Sequence, residues 1–142
     1  MRYIVFGCIG AVGASIASIW GGWDSAVATL LIFMGIDYIT GLVVAGIFHK
    51  SPKTENGSLE SWAGLKGLFR KGGALLVVLV AARLDLLIGT NFIRDAVVIA
   101  FVTNEVISLI ENLGLMGVPI PRPVIEAIEV LKKRAEAEDK EE

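Results

Sequence analysis

The chain has 142 residues, of which 54% are apolar, and a mean hydropathy of +0.68, more apolar than a soluble domain of this length carries. Thirteen Lys and Arg against 15 Asp and Glu leave a formal net charge of -2, so no general basic field draws nucleic acid to the surface. One cysteine, Cys8, excludes an intrachain disulfide, and one histidine, His49, limits nucleophilic triads and imidazole metal sites to a single ring; no catalytic set, metal site or cofactor signature is read.

The first segment, residues 3–20, contains no charge and reaches the roughly 20 residues that cross hydrocarbon. Arg2 ahead of it and Ser15-Ile16-Ala17 within it also fit a cleaved signal peptide. The small residues have a second explanation. Gly10, Ala14 and Ser18 repeat at i, i+4, i+8, and Gly7 with Ala11 and Gly13 with Ala17 keep the same spacing. Gly7, Gly10, Ala14 and Ser18 are therefore the expected helix-packing residues, within the chain or between copies. Trp20 and Trp23 flank Gly21-Gly22 as outer interfacial anchors, with Tyr3 and Phe6 near the inner end.

A second span is expected over 25–48, where Asp37 is the one charge, about 18 Å from the outer end at 1.5 Å per residue. The middle loop, 49–71, opens with the turn-rich Ser51-Pro52-Lys53-Thr54-Glu55-Asn56-Gly57, after which Ser58 is placed to cap a short helix. Leu59, Trp62, Leu65 and Phe69 share one face with Lys66, Arg70 and Lys71 beside them. This reads as an interfacial helix on the inner leaflet, with Trp62, Lys66, Phe69, Arg70 and Lys71 at the membrane surface. Gly72-Gly73 then turns the chain into a third span, 72–89, which carries Arg83 and Asp85. Arg83 is within reach of Glu105 or of the outer headgroups, and Asp85 is expected near the outer surface and hydrated.

The fourth span, 96–113, carries Glu105 roughly 14 Å from its outer end, near the bilayer midplane like Asp37. Asn104, Glu105, Ser108, Glu111 and Asn112 fall within an arc of about 120°, one polar stripe facing away from lipid. The opposite face, Val98, Ile99, Val102, Val106, Leu109, Ile110 and Leu113, is apolar and is expected to meet lipid. A midplane carboxylate costs about 2.5 kcal/mol or more unless paired, protonated or hydrated, which makes each acid a functional candidate. Gly114, Gly117, Pro119 and Pro121 end the span. Pro123 opens a last amphipathic helix with Val124, Ile128, Leu131 and Ala135 on one face and a Glu129 to Lys133 pair, before a solvated acidic end.

Lys and Arg cluster at the start, in the middle loop and at the end, so an even number of crossings separates these regions. The expected fold is an all-α membrane protein of about four transmembrane helices, both termini cytoplasmic, with a cytoplasmic interfacial helix and a C-terminal amphipathic helix. Residues 1–121 form the transmembrane domain and 122–142 the charged cytoplasmic tail.

Gly22-Trp23, Asp37-Tyr38-Ile39-Thr40-Gly41, Ser61 through Gly64, Gly67, Arg70, Lys71 and the block from Asn104-Glu105 through Ser108, Glu111-Asn112, Gly114, Gly117, Pro119 and Pro121 together resemble the toxin secretion/phage lysis holin family, of the bacteriophage holin family 4 type. The resemblance covers most of the chain, from Gly21 to Leu131. It implies a small multi-pass protein of the bacterial inner membrane that self-assembles and opens a lesion through which a cell-wall hydrolase, or a toxin, leaves the cell. It implies no enzymatic activity, and as partners a homo-oligomer, the lipid bilayer and a hydrolase that need not touch it. Carried onto this sequence, Asp37, Thr40, Gly41, Asn104, Glu105, Ser108, Glu111 and Asn112, with Arg83, are the expected assembly or lumen-lining residues. Two rival classes use the same midplane acids: a small proton- or cation-coupled transporter or channel, and a structural or immunity-type membrane protein whose acids only join helices.

Overall fold

The computed structural model describes residues 1–19, 22 and 24–141, so the expected Trp20 and Trp23 anchors lie outside the described residues. Five helices follow one another: α1 (Arg2–Ile19), α2 (Ser25–Gly46), α3 (Ser61–Ile88), α4 (Ile93–Leu115) and α5 (Arg122–Glu141). Among the described residues there is no strand. α1, α2 and α4 are each long and apolar enough to cross a membrane.

α4 is the central element and touches α2, α3 and α5. Its heavy contact with α2 buries Val27, Leu30 and Met34 of α2 against Val98 and Val102, with Val78 of α3 completing the cluster. The apolar face of α4 expected to meet lipid is thus partly the core: Val98, Val102, Val106 and Leu109 are buried within the chain. β-branched residues suit this position, because their short, stiff side chains let two helix backbones approach closely.

α3 departs most from expectation. A separate surface helix and a turn at Gly72-Gly73 were expected, but one continuous helix of 28 residues runs from Ser61 to Ile88. Each glycine weakens a helix by about 1 kcal/mol, a cost too small to break one that packs along its length against α2 and α4. Helical spacing explains the packed face: Gly64, Gly67, Lys71, Ala74, Val78, Ala81 and Asp85 lie along one half-buried to buried stripe. Gly64 brings α3 against Tyr38 and Leu42 of α2, where an added Cβ would stand 3.5 Å from the Tyr38 hydroxyl. Ser58 does not cap α3; its amide instead donates to the Asn56 side chain in a turn, and Glu60 takes the position before the helix.

α1 lies apart, touching α3 and burying Ala17 alone. Gly7, Gly10 and Gly13 have no atom within 4 Å of where a Cβ would sit, and Gly7, Gly10, Ala14 and Ser18 are exposed, so among the described residues nothing packs on that face. α5 folds back on α4 through the expected face, with Ile128 buried and Leu131 and Ala135 half-buried. Val124 is exposed, and no ion pair joins Glu129 to Lys133.

The link between α2 and α3 is closed on itself by the Ser51 amide donating to the Gly57 carbonyl at 3.1 Å. Gly57 has φ +76°, and a Cβ there would stand 2.1 Å from the His49 carbonyl oxygen. Gly57→Ala is therefore expected to open this loop, at a cost of about 1–3 kcal/mol locally. Limited proteolysis at Lys50 and Lys53 in detergent micelles should accelerate several-fold, while helix content stays unchanged by circular dichroism.

A buried ion triad at the centre of the bundle

α2, α3 and α4 each bring one ionisable side chain to the same point. Asp37 lies twelve residues into α2 and Glu105 twelve residues into α4, each about 18 Å along its helix. Lys71 of α3 stands between them, and its Nζ donates to Asp37 Oδ2 at 2.7 Å and to Glu105 Oε2 at 2.5 Å. Both carboxylates are almost fully buried, at 4% and 6% exposure. In a low dielectric two bare carboxylates repel strongly, so the lysine is what allows them to share a site.

Asn112, two turns beyond Glu105, extends the cluster. Its Nδ2 donates towards the second Asp37 carboxylate oxygen at 3.0 Å, the Asp37 carbonyl at 3.2 Å and the Thr40 hydroxyl at 3.0 Å. Thr40 in turn donates to the Ile36 carbonyl at 2.8 Å. Ser108 faces the Asp37 carboxylate from α4, and Gly41 leaves room for the Asn112 amide, 3.7 Å from where a Cβ would stand.

The expected polar stripe of α4 therefore divides. Glu105, Ser108 and Asn112 turn inward, while Asn104 and Glu111 are exposed at the edge of an open groove of about 730 Å³ between α3 and α4. Lys71 and Glu105 line its deep end, and Lys53, Trp62, Lys66 and Arg70 line its mouth. Asp37, Thr40, Gly41, Glu105, Ser108 and Asn112 come together as one site. Arg83 does not join them, being exposed on α3 with Glu105 already paired to Lys71. Lys71, expected at the membrane surface, is the cation of the triad. Its place on the stripe of Gly64, Gly67, Ala74 and Val78 is the signal that would have found it.

A second polar cluster closes the opposite end of the bundle. Asp85, expected to be hydrated, is buried and caps α4: its carboxylate accepts from the Thr90 hydroxyl at 2.7 Å and from the Ile93 and Arg94 amides at 3.1 and 2.9 Å. A carboxylate there meets both the orphan donors and the positive end of the helix dipole. Gly89, at φ +80°, ends α3 and lets the chain turn back into this cap. Arg94 reaches from α4 to Asp24 Oδ2 at 2.7 Å and the Gly22 carbonyl at 3.3 Å, tying the link between α1 and α2 to α4. Asp24 also caps α2 by accepting from the Val27 amide at 2.9 Å.

Together the fold and its charged centre define an all-helical membrane protein whose interior is built around an ion triad. The chain belongs to the Bacteriophage holin family, whose model matches residues 14–133. An uncharacterised 14.9 kDa protein of Clostridium perfringens is 36% identical over 94% of this chain and 96% of its own length. An uncharacterised protein of Listeria monocytogenes is 38% identical over 82% of this chain and 77% of its own. A protein of Bacillus phage phi105 named "Probable holin" is 32% identical over 72% of this chain and 71% of its own. No solved structure matches the chain.

Two outcomes follow from this geometry. Lys71→Met leaves two buried carboxylates with no cation and is expected to destabilise the bundle by about 3–5 kcal/mol. The triple variant D37N/K71M/E105Q, which removes every charge of the triad, should recover most of that loss in thermal unfolding followed by circular dichroism in micelles. At the other end, the hydrogen bond from Arg94 holds the Asp24 carboxyl below its ordinary value of 3.8, against a smaller opposing effect of burial. A lowered carboxyl contributes stability that is present above the unfolded value and is lost as pH falls through the folded one. Unfolding temperature should therefore drop as pH is lowered beneath about 3.8, and Asp24→Asn should remove that part of the drop.

Proposed function

We propose that the chain is a phage-type holin of the bacterial inner membrane, which accumulates, oligomerises and opens a lesion that releases a cell-wall hydrolase. It acts by changing the membrane and not as an enzyme. The observation that carries this reading is the ion triad, with the charged groove that reaches it from the surface of helices otherwise suited to lipid. Charge at that depth is tolerated when paired or hydrated, so a monomer holding it in a triad and an assembly presenting it to water are two low-energy arrangements of one set of residues. Membership of the holin family supports the same conclusion.

In this reading α3 is the fourth crossing. At about 42 Å it is longer than the hydrocarbon, and pairing Lys71 with two acids removes the main charge penalty of inserting it. The basic residues of the middle loop and of the tail then lie on the cytoplasmic side with both termini, residues 1–121 forming the membrane part and 122–142 the cytoplasmic helix. Asp37, Thr40, Gly41, Glu105, Ser108 and Asn112 hold the closed state, and Asn104 and Glu111 face the water of the lesion. Gly7, Gly10, Ala14 and Ser18 are free to pack against another copy.

The triad also favours one rival. Two carboxylates around one lysine leave a net negative site at mid-depth, which suits a proton- or cation-coupled transporter. Inducible expression in a bacterium containing a cytoplasmic cell-wall hydrolase separates the two. Turbidity and release of a large cytosolic enzyme are followed with and without a compound that collapses the membrane potential. Abrupt lysis that needs the hydrolase and releases protein is the expected result. Ion leakage without protein release would put the transporter or channel ahead. Glu105→Leu, which leaves one acid for Lys71 and takes a carboxylate from the groove, is expected to shift the time of lysis or abolish it; unchanged timing would remove the triad from the mechanism.

A further inference from the structure

The groove between α3 and α4 holds charges that the chain does not pair. At its deep end Lys71 and Glu105 satisfy one another, but Lys66 and Arg70 on α3 and Glu111 on α4, with Lys53 and Glu60 on the same lining, form no ion pair among the described residues. Lys66 rests over the Trp62 ring, 5.5 Å from its centroid. Counted from the Lys71–Glu105 contact towards the start of α3 and the end of α4, Lys66 lies about 7.5 Å and Glu111 about 9 Å away, so a cation and a carboxylate stand at one level on opposite walls. Ile107 supplies apolar lining between Glu105 and that level, and Phe101 lines the groove about one turn beyond Glu105 on the other side. About 730 Å³ is the size of a small-molecule site.

From this juxtaposition we infer that the groove binds the headgroup of a zwitterionic aminophospholipid, phosphate against Lys66 and Arg70 and primary ammonium against Glu111. The inference rests on the membrane placement proposed above. Hydrocarbon cannot face these three charges, and a phospholipid headgroup is the polar group that a bilayer supplies at the groove's mouth. A purely anionic headgroup meets the two cations and leaves Glu111 opposed. A choline head carries the right charges but has no N–H to donate, whereas a primary ammonium donates three. Trp62 at the rim adds the amphipathic ring that favours the headgroup zone. A headgroup seated here is drawn below its normal plane, thinning the inner leaflet beside the triad.

The test uses the full chain in nanodiscs of equal phosphatidylethanolamine, phosphatidylglycerol and phosphatidylcholine, transferred to native mass spectrometry to identify the lipid that stays bound. Phosphatidylethanolamine is expected to be retained over the other two by about tenfold, and K66Q/R70Q to lose that retention by a similar factor. Glu111→Gln should move the preference from phosphatidylethanolamine towards phosphatidylglycerol with total bound lipid unchanged, and Lys132→Gln, on α5, should change nothing. All these substitutions are of exposed residues, and circular dichroism checks that helix content is kept. Equal retention of the three lipids, full retention by K66Q/R70Q, or displacement of the lipid by inorganic phosphate alone would overturn the assignment. Alkaline extraction of the parent membranes tests the other premise separately: a chain released by it is not integral, and then the membrane reading itself fails.

Discussion

One lysine shared by two buried carboxylates sets the arrangement of the bundle. Because Lys71 must reach Asp37 and Glu105 at once, it fixes the rotation and height of α3 against both α2 and α4. A shift of α3 by one residue turns its stripe by 100° and takes Lys71 out of the site. Apolar packing in lipid specifies register weakly, since Val against Leu is much the same one turn higher. A charge trio does not tolerate such a slip. The polar core therefore contributes definition as much as stability, as a buried polar residue does in a coiled coil.

The second cluster acts at the other end and uses the same helix. Arg94 and Glu105 lie on α4 eleven residues apart, about three turns, so both point inward from one side of it. Asp85 caps α4 while Arg94 draws Asp24 and the Gly22 carbonyl onto it, so α2, α3 and the α1–α2 link are all referred to one element. α1 takes little part in this frame. Its link to α2 is held by Arg94 through Asp24 and the Gly22 carbonyl, while Gly7, Gly10, Ala14 and Ser18 along its length stay exposed.

How far the sequence could be read depended on whether a residue's meaning was local. Asp37, Thr40, Glu105, Ser108 and Asn112 were legible because a polar group in a long apolar stretch is costly wherever the chain goes. Lys71 was not. It sits beside Lys66, Arg70 and two glycines, and each local cue pointed to a surface segment followed by a turn; only the phase of the whole 28-residue helix places it inside. Asp85 was misread for a related reason, since a charge near a helix end looks solvated until a neighbouring helix end is brought against it. The apolar face of α4 shows the limit of periodicity: it distinguishes two faces, but in lipid an apolar face serves equally well against hydrocarbon or against α2.

That ambiguity bears on the proposed self-association. The chain leaves two unlike surfaces open, the small-residue face of α1 and the charged groove between α3 and α4. Hydrocarbon covers the first at little cost, because lipid tails solvate Gly, Ala and Ile about as well as a helix does. In the membrane placement proposed above it cannot cover the second, where Lys66, Arg70 and Glu111 have no ion-pair partner among the described residues. The pressure to recruit water, a headgroup or another molecule therefore resides in the groove, while α1 supplies a permissive contact once copies are near. In the membrane placement proposed above, the groove of a single copy is therefore the surface that calls for a polar filler, and α1 is the surface that does not.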